Sequence, residues 1–142
     1  MPTVLDSPTA WQTRVPHHAR SAAAVRRWLA DIFRSTEPDR LDDLYAVATE
    51  LICNAVRHAD PLPDGVIYVR CELTDGDVEF SVTDGGSSSR PRMRALDTAA
   101  ADGRGLLIVG ALSAQWGVRE EAVGRTVWAR LPGTQNPVVD GP

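Results

Sequence analysis

The amino-acid sequence predicts an α+β two-layer sandwich, in which helices cover one face of a mixed, mostly antiparallel sheet. Three observations lead to this prediction. The strand-like segments occur mainly as hairpins, the two long helix-like segments follow one another, and each of these helices is apolar on one side. Hairpins build antiparallel sheets, and helices with a single apolar side pack together onto one sheet face.

The first half of the chain predicts one short strand and two helices. Trp11 to Val15 is a candidate strand, and Ala19 to Phe33 has apolar residues at helical spacing. Pro38 suits the first turn of a second helix, where a proline removes no helical hydrogen bond. This helix should end near His58 to Asp60, because Pro61 disfavours helical backbone in the residue before it. Its apolar stripe comprises Leu44, Val47, Ala48, Leu51 and Ala55.

The second half predicts two hairpins separated by a long loop and a short helix. Asp75-Gly76 is typical of a tight turn and joins Val66 to Leu73 with Val78 to Thr83. Residues 84–102 show little periodicity, and a loop this long in a small domain typically acts as a lid. The remaining elements are a helix at Leu106 to Leu112 and a hairpin of Gln115 to Glu120 with Arg125 to Leu131.

Length and composition indicate one domain, which we assign to residues 10–131 of the 142. Residues 1–9 and 132–142 are rich in Pro, Gly, Asp and Thr, and we expect them to be loose tails. No apolar run approaches the roughly 20 residues that a bilayer requires, and residues 1–10 do not resemble a signal peptide. We therefore expect a cytoplasmic protein without membrane contact. The net charge of −4 argues against direct nucleic-acid binding, which favours a basic surface.

The absence of lysine excludes several classes of enzyme. All fifteen basic residues are arginine. P-loop proteins, kinases of the eukaryotic type and Schiff-base enzymes each need a lysine amine, so they are excluded unless a partner supplies one. The two cysteines and three histidines show no close metal-ligand spacing, which argues against a structural zinc site.

A polar strip lies beside the apolar stripe of the second helix. At about 100° per residue, Glu50, Asn54 and His58 fall within roughly a quarter-turn of one another. The amide oxygen of Asn54 suits Mg²⁺, and a carboxylate one turn away can hold a metal-bound water or accept a hydroxyl proton. The same pattern also fits a solvated helix edge, with His58 capping the helix.

Two glycine-containing segments frame the long loop. Asp84-Gly85-Gly86 ends a predicted strand, where a carboxylate can accept a hydrogen bond from an exocyclic amine such as that of adenine. Gly103-Arg104-Gly105-Leu106 opens the short helix, whose free N–H groups favour anions, and Arg104 adds a planar donor for phosphate. Taken singly, the first segment fits a plain turn and the second a plain helix start.

The order of these segments resembles the GHKL (histidine-kinase-like) ATPases over residues 10–131. This resemblance implies the GHKL fold, with ATP and Mg²⁺ as cofactors. Thr126 looks like the family's late-strand threonine, which helps the aspartate to hold adenine. The other matches are Glu50, Asn54 and Ala55 to the N box, Asp84 and Gly86 to the first glycine box, and Gly103 and Gly105 to the second.

Within this superfamily, the chain resembles the anti-sigma-factor serine kinases. The resemblance rests on the small size, the Gly-Arg-Gly-Leu element, and a hairpin of Trp116-Gly117-Val118 with Gly124 to Trp128. This resemblance implies that Glu50 is the general base, which deprotonates a serine on an anti-sigma-factor antagonist. It also implies binding of a sigma factor and a possible homodimer. In this interpretation Asn54 binds Mg²⁺, Asp84 reads adenine, and Gly103 to Gly105 cradle the phosphates. Gly86 and Leu106 complete the nucleotide-binding residues.

One departure leaves alternatives open. Ser88 stands where the first glycine box normally has a second glycine. The chain could therefore be a binding module that uses ATP only to set its shape, or an interaction domain whose nucleotide site has decayed. The arginine that contacts the γ-phosphate is also open, with Arg104 preferred over its rivals Arg90, Arg92 and Arg94.

Overall fold

A computed structural model of the chain describes residues 9–35, 38–86 and 107–132. These residues form five strands, two long helices and a short helix, α3, at residues 107–112. The other elements are β1 (Ala10–Pro16), α1 (Ser21–Ile32), α2 (Pro38–His58), β2 (Val66–Thr74), β3 (Asp77–Asp84), β4 (Gln115–Glu120) and β5 (Arg125–Leu131).

The five strands form one sheet in the order β1-β2-β3-β5-β4. The predicted α+β architecture is confirmed, with one refinement. All four pairings among the described strands are antiparallel, so this sheet is not mixed. After β3 the chain forms the hairpin of β4 with β5, and β5 then pairs with β3 in the antiparallel direction.

The core lies between the helices and one face of the sheet. α1 packs against α2 and β1, while α2 packs against β3 and β5. Alternate residues of the strands point into this layer, because successive side chains of a strand point to opposite faces. The fully buried strand residues include Ile67, Val69, Cys71, Val78, Phe80, Val82 and Ala129.

The two long helices bury the sides that the sequence predicts. The stripe of α2 is buried as expected, and Ile52 joins it. α1 buries Ala22, Val25 and Leu29 and is tied to α2 by a 3.0 Å hydrogen bond from Arg26 Nη1 to Thr49 Oγ1. None of the described helices is both long and apolar enough to cross a membrane.

The turn between β2 and β3 has the predicted chemistry. Asp75 and Gly76 have φ angles of 52° and 86°, and two positive φ values in succession are what a two-residue type I′ turn requires. Of the predicted tails, the structure describes only Thr9 and Pro132. Thr9 already contacts the sheet, since its carbonyl oxygen accepts a 2.8 Å hydrogen bond from the N–H of Leu73.

Candidate functional site

Asp84 is the centre of the candidate site. It is the last residue of β3 and is fully buried on the helix-facing side of the sheet. Its Oδ1 accepts a 2.7 Å hydrogen bond from the N–H of Gly86. Its Oδ2 lies 3.4 Å from Nη2 of Arg125, whose side chain is 4% exposed. The carboxylate is therefore oriented from two sides, by the glycine turn that follows it and by the neighbouring strand.

Opposing effects act on the proton affinity of this carboxylate. Burial raises the pKa of Asp84 above its ordinary value, because a charge in a dry environment loses its hydration. The positive charge of Arg125 and the hydrogen bond from Gly86 offset part of that rise, and His17 adds a smaller effect in the same direction. The net pKa remains raised.

The glycines around Asp84 allow chain segments to approach closely. A side chain at position 85 would overlap the carbonyl oxygen of Pro61. The N–H of Gly85 donates a 2.7 Å hydrogen bond to the carbonyl oxygen of Asp60. The N–H of Asp60 in turn donates a 2.9 Å hydrogen bond to the carbonyl oxygen of Gly86. These bonds fix the segment after Asp84 against the segment that follows α2.

Gly124 makes a second close approach, from the start of β5. Its φ is 95°, and a side chain there would overlap the carbonyl oxygen of Asp84. Because glycine alone adopts such a conformation readily and has no side chain, it lets β5 begin directly beside the carboxylate.

Glu50, Asn54 and His58 lie in the C-terminal half of α2, the helix that ends beside this segment. Glu50 and Asn54 are half-buried, whereas His58 is exposed. The buried Leu51 and Ala55 lie next to them, as expected for a polar strip at the rim of the core. At 1.5 Å per residue, Glu50 lies about 6 Å before Asn54 along the helix axis. The polar strip thus leads toward the backbone of Asp60, which is bonded to Gly85 and Gly86.

His17 holds the end of α2, a role that the sequence did not reveal. Its Nε2 lies 2.8 Å from the carbonyl oxygen of Ala59 and 3.2 Å from that of Ala55. The carbonyl of Ala55 also accepts a 3.2 Å hydrogen bond from the N–H of Ala59. The carbonyl of Ala59 lies past the last turn, where carbonyls lack a helical partner, so a side-chain donor stabilises it. The partners are 38 and 42 residues away in the sequence, and no local pattern announces such a contact.

Thr126 does not lie opposite Asp84 in the sheet, and its expected part in holding adenine stays a prediction. In the β3–β5 pair, Thr126 lies opposite Thr83, and their hydroxyl oxygens are 2.6 Å apart. Neighbouring residues of a strand point to opposite faces, so Thr126 faces away from Asp84. The residue opposite Asp84 is Arg125. Strand alternation could have identified it, because Arg125 has the same parity as the apolar Val127, Ala129 and Leu131.

The remaining predicted site residues lie outside the described part of the chain. They are Gly103, Arg104, Gly105 and Leu106 of the phosphate segment, Ser88, the rival arginines Arg90, Arg92 and Arg94, and nearly all of the predicted lid. Among the described residues, no group of three or more acidic, histidine or cysteine side chains is arranged to hold a metal ion.

A cavity of about 590 Å³ opens on the opposite face of the sheet. Its walls include Tyr68 and Thr83, which alternate with the core-facing residues of their strands. Because Thr83 and Asp84 point to opposite faces, this cavity is separate from the candidate site.

Comparison with known proteins identifies the family. The family model of the histidine kinase-like ATPase domain matches residues 15–131, which is most of the chain. No curated protein matches the chain. The matched region contains α2, β3 with its buried aspartate, and the hairpin that places Arg125 beside that aspartate. A match of this extent shows that the chain belongs to the histidine kinase-like ATPase family, within the GHKL superfamily.

Proposed function

We propose that this protein is an ATP-binding regulatory protein that acts as a serine/threonine kinase on an anti-sigma-factor antagonist. The observation that carries the ATP-binding part is the buried, oriented carboxylate of Asp84 beside the end of α2 in a chain of this family. The kinase part rests on Glu50, whose half-buried position on the polar strip of α2 suits a proton acceptor.

Asp84 fits an adenine ring. A carboxylate has about four acceptor positions, and those of Asp84 that Gly86 and Arg125 leave open can accept a hydrogen bond from the 6-amine. Guanine presents an oxygen at the same place and would be repelled. Competition between ATP and GTP measures this selectivity, and equal competition would remove Asp84 from the role of base reader.

Asn54 fits a magnesium ion that is shared with phosphates. Mg²⁺ keeps several waters and typically takes few protein ligands together with substrate phosphates. A single amide oxygen on α2 therefore suffices, and no cluster of carboxylates is needed. When bound, the ion would neutralise charge on the phosphates during transfer.

Glu50 is proposed to take the proton of the partner's serine hydroxyl. The serine oxygen forms a bond to the γ-phosphorus while the bond to the β-phosphate oxygen breaks, and ADP leaves. Asn54, one helical turn away, orients the phosphate side of the nucleotide, and the segment Gly103 to Leu106 is proposed to hold the phosphates. A sigma factor as a second partner and a homodimer belong to the same proposal.

A binding module that uses ATP without transferring phosphate is the alternative. The observation that favours it is Ser88, which stands in place of a glycine of the first box.

Incubation with γ-labelled ATP, Mg²⁺ and candidate antagonist proteins from the same genome distinguishes the two functions. Transfer of label to a serine of one candidate supports the kinase. ATP-dependent binding of a candidate without transfer supports the binding module. If the protein binds neither ATP nor ADP, both functions are wrong.

A further inference from the structure

We propose that Arg125 is a specificity-determining residue of the nucleotide site, donating a hydrogen bond from Nε to N1 of adenine while Asp84 accepts one from the 6-amine. This inference rests on the proposed nucleotide-binding function and extends it to a residue that no motif marks.

The sheet places Arg125 directly beside Asp84. Arg125 lies opposite Asp84 in the β3–β5 pairing, and only 3% of its surface is exposed to solvent. Gly124 brings the start of β5 so close to Asp84 that no side chain would fit there. The guanidinium therefore belongs to the immediate surroundings of the carboxylate.

Arg125 also carries a buried donor that lacks an acceptor among the described residues. Nη2 of Arg125 lies 3.4 Å from Oδ2 of Asp84, but Nε has no hydrogen-bond partner in the described part of the chain. Buried polar groups are nearly always paired, because a lost hydrogen bond to water is costly when nothing replaces it. An acceptor atom of a ligand bound beside Asp84 would give the Nε of Arg125 its missing hydrogen bond.

The edge of adenine matches this pair of side chains. The 6-amine is a donor, and the adjacent N1 is an acceptor, so the edge matches an acceptor next to a donor. Asp84 and Arg125 supply that pair in neighbouring strands. Guanine and hypoxanthine present the reverse pattern, an oxygen acceptor next to an N–H donor, and would oppose both residues.

The same pair of strands provides a matched control. Arg130 Nη2 lies 3.4 Å from Oε1 of Glu79, and the Nε of Arg130 likewise lacks a partner among the described residues. This pair lies on the opposite sheet face and is far more open, with side chains 30% and 24% exposed. A substitution at Arg130 removes an equivalent ion pair without touching the surroundings of Asp84.

The test compares ADP with 1-deaza-ADP, in which a C–H group replaces N1 and removes only that acceptor. Calorimetry on the wild type should show at least about tenfold tighter binding of ADP, the scale of one hydrogen bond from a charged donor. Arg125→Met should bind ADP more weakly and bind both nucleotides about equally. Arg130→Met should keep the wild-type ratio.

A role in folding alone predicts a different pattern. Loss of stability in Arg125→Met would weaken both nucleotides and leave their ratio unchanged, which would overturn the proposal. Equal binding of both nucleotides by the wild type would also overturn it, while ADP binding would still support the proposed function. A wild type that binds neither nucleotide contradicts the proposed function itself and this inference with it.

A second measurement needs no variant, in case Arg125→Met does not fold. In ¹⁵N-correlated NMR spectra of the wild type, the Nε–H signal of Arg125 should shift when ADP binds and remain near its free position with 1-deaza-ADP. The same shift with both nucleotides would rule out the bond to N1.

Discussion

His17 and Ala59 connect the end of β1 to the end of α2, through a 2.8 Å contact between Nε2 and the carbonyl oxygen. The contact fixes the helix end that leads to Asp60 and thus to the backbone around Asp84. His17→Ala should lower the free energy of unfolding by about 1 kcal/mol, the typical contribution of one hydrogen bond. Urea unfolding measures this loss. His18→Ala is the control, because the Nδ1 of this exposed neighbour accepts only a surface hydrogen bond of 3.0 Å from the N–H of Arg20, which water can replace. An equal loss in His18→Ala would show that the contact with α2 is unimportant.

Gly124 should tolerate substitution far less well than Gly65. Both have positive φ, at 95° and 83°, so alanine strains the backbone at either position by about 1–2 kcal/mol. Gly65 has open space around it, whereas a side chain at Gly124 would overlap the carbonyl oxygen of Asp84. Gly124→Ala should therefore cost about 3 kcal/mol or more in urea unfolding. Similar losses in both variants would mean that β5 does not approach Asp84 so closely.

The sequence was sufficient to predict the elements because their signals are local. Hydrophobic periodicity placed α2, and Pro61 and Asp75-Gly76 placed the boundaries that follow it. The polar strip of Glu50 and Asn54 at the rim of the core needed only the helical repeat. In each case, a pattern within one turn or one hairpin determines the outcome.

The residue beside Asp84 was not predicted because it depends on register between strands distant in sequence. Thr126 matched a motif, but a shift of one residue exchanges the two faces of a strand. Alternation along β5 puts Arg125 on the helix-facing side, but only the pairing of β3 with β5 shows that Arg125 lies beside Asp84. The hydrogen bonds of His17 are missed for the same reason, since they join segments about 40 residues apart.

Asp84 should titrate at a higher pH than an ordinary aspartate. Burial raises its pKa, so the folded state binds this proton more tightly than the unfolded state does. Its contribution to stability is therefore greatest below the unfolded pKa of about 3.9 and is lost as the pH rises through the folded value. Carbon NMR of the side-chain carboxyl measures the pKa directly, and Asp84→Asn identifies the signal.

The ion pair with Arg125 makes a further prediction about that titration. Arg125 opposes the rise, so Arg125→Met should move the pKa of Asp84 still higher. If ADP binding needs the ionised carboxylate, binding weakens as the pH falls and Asp84 takes up its proton. In Arg125→Met this loss should begin at a higher pH than in the wild type. Arg130→Met should leave the pKa of Asp84 unchanged. An equal rise of that pKa in Arg130→Met would show that the effect does not come from the neighbouring guanidinium.

Asn54 should make nucleotide binding depend on Mg²⁺. Asn54→Ala removes the only amide oxygen proposed to hold the ion, so ADP affinity should become nearly independent of Mg²⁺. Calorimetry with and without the ion measures the change. Cys53→Ser alters the neighbouring, half-buried residue of the same helix and should keep the dependence. Unchanged Mg²⁺ dependence in Asn54→Ala would remove this residue from the metal site.

Glu50 should separate binding from chemistry. A serine hydroxyl is a weak nucleophile until its proton has an acceptor, and a positioned general base typically contributes about 10²–10⁴ in rate. Glu50→Gln keeps the size and much of the hydrogen bonding of the side chain but cannot take the proton. The variant should bind ATP nearly as tightly as the wild type, while phosphate transfer to the partner falls by about that factor.

Binding and transfer must be measured on the same preparation, by calorimetry with ATP and by transfer from γ-labelled ATP. Asn54→Ala provides the contrast, because it should lose Mg²⁺-dependent binding together with transfer. Transfer by Glu50→Gln at the wild-type rate would show that another group accepts the proton, although the protein would still be a kinase. Loss of ATP binding in Glu50→Gln would place Glu50 in the binding site itself, since a general base contributes to the rate of transfer and not to the affinity for ATP.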